Sequence, residues 1–448
     1  MNINPSIFKE YDIRGRHPDE IDINVAYRIG ASFVEFVKRK RWSGPIVVGR
    51  DARLSSPELH EAFTQGILDH GRDILDIGIV STPLFYFSVI EGKAAAGAMI
   101  TASHNSKEYN GFKFVGEEAI PIGFEGGIAA IRDISGEEPA RGLSQGKSTF
   151  HDFSEKYLDT LYDYGEIARP VKVVVDASNG SAGELTRKFL SRVPVDYKPL
   201  FLSADGNFPN HGPDPLQEES IQAASQKIID TASEFGVVID GDGDRIAFLD
   251  QNGKRVRSDI VGAFLSDMVL QKGDTAVTTK NASKVFSEVA GRKGATVVFS
   301  RVGHSHVKKV MREHKAAFGV EPSGHMYFGD FYFLDSALVA FQRVLFFFAR
   351  QDKKFSELMK QYAVYPNSGE INFSVTDRLQ SIALLRNAYA DGTQDDFDGL
   401  TVEYPEWRFN VRPSHTEPLL RLVVEAHTKE LLAEKQKELE DKIKNIPA

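Results

Sequence analysis

Val237-Val238-Ile239-Asp240-Gly241-Asp242-Gly243-Asp244-Arg245 is the stretch on which the fold turns. Three apolar residues run straight into carboxylates at alternate positions, which reads as a buried β-strand ending in a tight polar loop, the place where α/β proteins put ligands. The two glycines let the backbone bend, so Asp240, Asp242 and Asp244 can turn three hard oxygen ligands toward one divalent cation, with magnesium the natural occupant. An EF-hand does not fit, because its sixth position would be Arg245 instead of glycine and its twelfth Gln251 instead of glutamate. A solvated acidic turn is the competing reading. Arg245 beside a metal would suit a phosphate-bearing substrate.

The strand-then-loop pattern repeats outward from this point. Residues 45–48, 74–79 and 95–100 read as strands, and Ser56-Pro57 opens a helix whose stripe is Leu59, Phe63, Ile67 and Leu68, with Gly71 at its end. The Gly-, Ser- and charge-rich segment 135–149 has no periodicity and reads as a linker. A second unit runs from a strand at 171–175 through helices near 185–190 and 221–235 to a hairpin at 246–256 that turns at Asn252-Gly253. A third has a helix at 260–270 and strands at 275–278, 296–299 and 317–320, followed by a buried apolar helix at 337–349. From Gly369 the order becomes strand, helix, three strands near Leu400, Arg408 and Leu420, and a charged terminal helix, an α+β module.

Length and composition agree with this division. At ~150 residues per domain, 448 residues suggest about three domains. Hydrophobic residues at 42% and charged residues at 26% are the ordinary globular mix, which excludes disorder, collagen and coiled coil. A net charge of −9 gives no global field for nucleic acid or an anionic membrane, so anionic ligands need local basic pockets. With 0 cysteines, disulfides, thiolate metal sites and cysteine nucleophiles are ruled out. Met1-Asn2-Ile3-Asn4-Pro5 lacks the start of a signal peptide, and no run approaches the ~20 apolar residues of a membrane span, so a cytoplasmic location is expected.

Three more polar loops follow strands. Thr101-Ala102-Ser103-His104-Asn105 lies after the strand at 95–100; a hydrolase nucleophile is disfavoured because the Gly-x-Ser-x-Gly elbow is absent, and a plain turn remains an alternative. Glu321-Pro322-Ser323-Gly324-His325 offers a carboxylate, a hydroxyl and an imidazole, a set suited to sugar hydroxyls. Arg412-Pro413-Ser414-His415-Thr416, read as following a strand at 407–411, combines an arginine fork with hydroxyls as an anion cradle. Each of these two could also be a plain turn. Gly142-Leu143-Ser144-Gln145-Gly146-Lys147-Ser148 imitates a phosphate-binding loop, but its glycine spacing is one residue short and no strand precedes it.

A serine loop, a triple-aspartate loop, a hydroxyl-gripping loop and an anion cradle thus occur one per unit, in that order. In this the chain resembles the α-D-phosphohexomutase superfamily, most of all its bacterial phosphomannomutase/phosphoglucomutase branch, from Lys9-Glu10-Tyr11-Asp12-Ile13-Arg14-Gly15 to Arg412-Pro413-Ser414-His415-Thr416-Glu417-Pro418. The opening Tyr11-Asp12-Ile13-Arg14-Gly15 and the Tyr109-Asn110-Gly111-Phe112-Lys113 stretch fit this branch better than the phosphoglucosamine branch. The resemblance implies four domains around a central cleft, three related α/β units and a smaller α+β module, with limits expected at 1–148, 149–252, 253–366 and 367–448.

The resemblance also implies roles. Ser103 would be the phosphoserine and, with Asp240, Asp242 and Asp244, would touch magnesium. Arg14, His104, Lys113 and Arg245 would line the same site, with Lys113 and His104 both candidates for the general base. Lys280, Gly303 and His304 would face the substrate; Glu321 and Ser323 would hold the sugar's O3 and O4, with His325 completing that loop; and Arg412, Ser414 and Thr416 would clamp the non-reacting phosphate. The activity implied is interconversion of hexose 6-phosphate and hexose 1-phosphate, primed by a hexose 1,6-bisphosphate, in a monomer or weak homodimer. Phosphoglucosamine mutase and a non-catalytic sugar-phosphate sensor are the alternatives. Two departures bear on sugar preference: His415 stands where relatives commonly carry glycine or asparagine, and Val320-Glu321-Pro322 where many have Gly-Glu-Met or Gly-Glu-Gln.

Overall fold

A computed structural model describes residues 3–137, 142, 144–414 and 419–445. It divides into two compact units, Met1–Val256 with Ser323–Ser356, and Arg257–Pro322 with Glu357–Ala448.

The first unit holds two α/β sheets. In one, the strands Ile13–Arg16, Tyr109–Val115, Ala96–Ile100, Ile46–Arg50, Ile74–Ile79 and Ser148–Phe150 lie side by side in that order. Ile46–Arg50 runs parallel to both Ile74–Ile79 and Ala96–Ile100, and Tyr109–Val115 turns back antiparallel, so the loop at 101–108 sits at the carboxyl end of an entirely buried strand. Ser148–Phe150, expected to be the end of a linker, pairs parallel with Ile74–Ile79 instead. A long amphipathic helix, Ile23–Arg39, was not legible as a separate signal; Asp22 caps it by accepting a 2.8 Å hydrogen bond from Val25 N.

The second sheet has the order Arg255–Val256, Ile246–Asp250, Phe235–Ile239, Val171–Asp176 and Val195–Leu200. Its hairpin turns through Gly253, whose φ of 73° favours a residue without a Cβ, and the expected limit at 252 falls inside that turn. The helix expected over 221–235 ends at Thr231, where Ala232 adopts a left-handed conformation, and Phe235 already belongs to the strand. Phe235 is fully buried and stacks on Phe355 at 4.8 Å, so tertiary burial overrides the helical periodicity here. The apolar helix Ala337–Phe348 packs into the same core, with Phe341 edge-on to Phe235 at 6.3 Å.

In the second unit Thr296–Ser300, Thr275–Thr279 and Phe318–Val320 form parallel strands. The C-terminal module is an antiparallel sheet ordered Ile371–Ser374, Leu419–Ala426, Trp407–Pro413, Leu400–Glu403 and Thr393–Asp395, backed by the helices Arg378–Ala388 and Lys429–Lys444. The strand Trp407–Pro413 runs two residues beyond its expected end, so Arg412 lies within it, opposite Arg421. No helix among the described residues is long and apolar enough to cross a membrane.

Candidate active site

In the first unit the predicted serine and aspartate loops meet. Ser103, at φ 50°, donates from Oγ to Asp240 Oδ2 at 3.1 Å and lies 3.3 Å from His104 Nδ1. The other oxygen of Asp240 is used inside its own loop, accepting from Gly243 N at 2.9 Å and Arg245 N at 3.1 Å. This fixes the loop and leaves Oδ2 facing the serine. Lys113, buried on the strand Tyr109–Val115, donates to Asp242 Oδ2 at 2.8 Å and Asp244 Oδ2 at 2.6 Å. Arg14 donates to Asn105 Oδ1 at 2.6 Å and pairs with Asp12, so the edge strand Ile13–Arg16 ties into the serine loop.

The electrostatics follow from burial and crowding. Burial raises Asp240 well above the ordinary carboxylate range, and neighbouring Asp244 and Asp242 add to the rise. Burial acts in the same direction on Asp244, but Lys113 and His325 carry it down to about 2. Burial pulls Lys113 down, and its two aspartate partners more than reverse this, leaving it well above the usual lysine range. Burial, with Arg245 and Arg14 next in effect, takes His104 well below the ordinary imidazole range.

The residues fit a hard divalent cation. Asp240, Asp242 and Asp244 each bring a carboxylate oxygen to within 4.8 Å of the others. Asp242 Oδ1 and Asp244 Oδ1 are buried without a hydrogen-bond partner, which is costly unless a cation takes them.

His325, expected with the sugar loop, falls in this charge cluster. Its Nδ1 is 2.8 Å from Asp335 Oδ2, and its Nε2 accepts from Arg245 Nε at 3.0 Å, which makes Nδ1 the protonated nitrogen. Sequence reasoning missed Asp335 and Thr82. Thr82 Oγ1 donates to Asp242 Oδ2 at 2.7 Å, and Thr82 N, at the start of the helix Thr82–Glu91, donates to Asp242 O at 2.7 Å. Its signal was available in Ser81-Thr82-Pro83, a helix start following a strand, but nothing local names Asp242 as its partner.

The second unit holds the other predicted residues except Ser323. Gly303, at φ 126°, donates from its N–H to Glu321 Oε1 at 2.8 Å, joining two of the expected loops, and His304 opens the helix His304–Glu313. Lys280 Nζ pairs with Asp395 Oδ2 at 2.7 Å and sits 3.9 Å above the Phe299 ring. Arg412, 3% exposed, pairs with Glu370 Oε2 at 2.9 Å, and Ser414 O accepts from Arg378 Nη1 at 3.0 Å. Ser323 falls in the first unit, in the half-buried turn before Gly324. Thr416 and His415 lie outside the described residues.

Comparison with known proteins adds an independent line. The chain matches the family models for phosphoglucomutase/phosphomannomutase alpha/beta/alpha domain I over residues 5–140, domain II over 155–253, domain III over 257–365 and the C-terminal domain over 370–442. It is 36% identical over 427 residues to a protein of Xanthomonas campestris pv. campestris (strain B100) described as phosphohexose mutases, covering 93% of this chain and 94% of that one. It is 35% identical over 456 residues to an Escherichia coli phosphomannomutase, covering 95% and 98%. A crystal structure of a phosphoglucomutase/phosphomannomutase family protein from Burkholderia thailandensis superposes with a TM-score of 0.92 at 31% identity, covering 99% of this chain and 98% of that one.

Proposed function

Because the chain belongs to the phosphoglucomutase/phosphomannomutase family, we propose that it is a phosphohexomutase interconverting hexose 6-phosphate and hexose 1-phosphate, with mannose the sugar and glucose also accepted. The observation that carries this is the meeting of Ser103 Oγ with Asp240 Oδ2 beside two buried carboxylate oxygens that accept no hydrogen bond. A sensor would have no use for such a transfer centre. Four domains limited at 1–148, 149–252, 253–366 and 367–448, a cytoplasmic location and a monomer or weak homodimer belong to the same proposal.

Ser103 carries the phosphoryl group, and its Oγ–P bond breaks as the sugar's free O1 or O6 attacks phosphorus. The hydroxyl proton leaves the sugar, and His104, whose Nδ1 is 3.3 Å from Ser103 Oγ, is within reach to hold it. In the return half the other phosphate of the 1,6-bisphosphate passes to Ser103. Phosphoryl transfer needs positioning and charge neutralisation above all. A magnesium ion on Asp240, Asp242 and Asp244, also touching Ser103, would supply that neutralisation. Lys113 keeps Asp242 and Asp244 oriented and adds a fixed positive charge, and Arg245 beside Asp244 and Arg14 on Asn105 of the serine loop add two more. His325 holds Arg245 in place. Lys280, Gly303, His304, Glu321 and Ser323 take the sugar and its hydroxyls, and Arg412, Ser414 and Thr416 take the phosphate that is not reacting.

Coupled assays with mannose 1-phosphate, glucose 1-phosphate and glucosamine 1-phosphate, each with and without magnesium and primed by glucose 1,6-bisphosphate, test this reading. Turnover of the first two in magnesium is expected. No turnover of any of them overturns it, and turnover of glucosamine 1-phosphate alone replaces it with the phosphoglucosamine reading.

A further inference from the structure

We propose that Arg53 is a positioning residue that sets the shape of the serine loop, a role that rests on the mutase reading above. Arg53 follows the strand Ile46–Arg50 and is 1% exposed, yet it carries a guanidinium. All five of its side-chain N–H groups find acceptors. Nε donates to Asp51 Oδ2 at 3.0 Å; Nη1 donates to the carbonyls of Ser106 at 2.6 Å and Tyr109 at 3.1 Å; Nη2 donates to those of Ser103 at 2.8 Å and Asn105 at 2.6 Å. One planar fork therefore ties down three carbonyls of the serine loop and the first carbonyl of the strand that follows it. Asp51 is itself fixed, its Oδ1 accepting from Ser56 Oγ at 2.6 Å and Arg53 N at 3.0 Å. The Phe208 ring, 5.3 Å from the guanidinium carbon, closes another side.

The loop needs such a clamp. Ser103 sits at φ 50°, a conformation a serine leaves unless its surroundings hold it. Its own carbonyl is one of the four that Arg53 grips, and its Oγ is the atom aimed at Asp240. Stability alone does not account for an arginine here, since an apolar side chain fills a buried site without the cost of desolvating a charge. What an apolar side chain cannot do is hold four carbonyls at fixed positions. Arg53 touches none of the reacting atoms, so its effect runs through the placement of Ser103.

The test follows transfer of phosphate from glucose 1,6-bisphosphate to Ser103 by intact mass, together with steady-state kinetics and thermal melting, in the full chain with magnesium. If the wild type never acquires the phosphate, the mutase reading itself fails. With the wild type phosphorylated, Arg53→Lys and Arg53→Ala are expected to slow phosphorylation by at least about 100-fold while KM stays within about threefold, the pattern of a misplaced nucleophile. Low-millimolar guanidinium chloride should restore much of the rate to Arg53→Ala, whereas sodium chloride should not. A rate within threefold of wild type overturns the proposal, as does a slow variant that guanidinium does not rescue. Should both variants be recovered unfolded, Asp51→Asn decides: it keeps the guanidinium but loses the carboxylate charge behind Nε, and phosphorylation about 10-fold slower at unchanged KM is expected. A wild-type rate in Asp51→Asn overturns the proposal.

Discussion

The loops that hold Ser103 and the three aspartates and the loops that carry Lys280 and Arg412 solve opposite problems. In the first set almost every polar atom is buried and engaged by protein: Asp240 Oδ1 by its own loop's backbone, Asp242 Oδ2 by Thr82 and Lys113, Asp244 Oδ2 by Lys113. The two oxygens left over point to a ligand that is part of the machinery. In the second set the cations are paired with carboxylates, Lys280 with Asp395 and Arg412 with Glu370, and those carboxylates are 41% and 33% exposed. Because those carboxylates are open to solvent on one side, a phosphate can reach the cations and take the carboxylates' place. On the proposed mutase reading, the transfer centre is built rigid and the grip exchangeable.

The comparison breaks most visibly at Ser103. Ser103→Ala should abolish turnover in the coupled assay while the melting temperature stays near that of the wild type, since this hydroxyl contributes little packing. Retained activity would show that the phosphate is carried elsewhere.

Next in size is Thr82→Val, which keeps the shape of the side chain and removes the hydroxyl that holds Asp242 Oδ2. Affinity for manganese or magnesium, measured by calorimetry, should weaken by roughly 10-fold or more, as for other groups that orient a metal ligand. Unchanged affinity would mean that Lys113 alone orients the carboxylate.

In the gripping loops effects should be smaller and shared between sugars. Glu321→Gln should slow mannose 1-phosphate and glucose 1-phosphate together, by about 10-fold, the size expected for loss of a charge-assisted hydrogen bond. Mannose and glucose differ at C2, whereas the hydroxyls assigned to Glu321 and Ser323 are O3 and O4. Their kcat/KM values should therefore lie within about two orders of magnitude of each other, the range of a weakly read position. A preference above about ten-thousandfold would require a dedicated O2 contact and would sharpen the search for one.

The smallest effect is expected at Asp395→Asn, which frees Lys280. KM should fall by about threefold with kcat unchanged, in keeping with an exposed pair. The hydrogen bond from Lys280, the largest influence on Asp395, holds that carboxyl below the ordinary range, so the pair persists at neutral pH and is lost only as acid protonates Asp395. The difference between variant and wild type should accordingly shrink at low pH. A rise in KM would make Asp395 part of the grip.

What the sequence by itself determined is local. Apolar runs ending in Asp240-Gly241-Asp242-Gly243-Asp244 and in Thr101-Ala102-Ser103 announce strands with polar loops at their carboxyl ends, because alternation, glycine spacing and turn chemistry operate over a few residues. The apolar helix Ala337–Phe348 and the turn at Asn252-Gly253 were legible for the same reason. What only the tertiary structure decided is which side chains meet across long stretches of chain. Thr82 and Asp242 are 160 residues apart, and Arg53 and Ser103 are 50 apart. Neither pairing leaves a periodic trace, since Arg53 and Ser103 meet because their strands are neighbours in one sheet, and Thr82 and Asp242 because loops of two separate sheets come together. His325 shows the limit from the other side. Its neighbours Glu321 and Ser323 suggested a sugar contact; the fold also sets its buried imidazole against Arg245 at Nε2 and beside the Asp335 carboxylate at Nδ1, partners that no local pattern names.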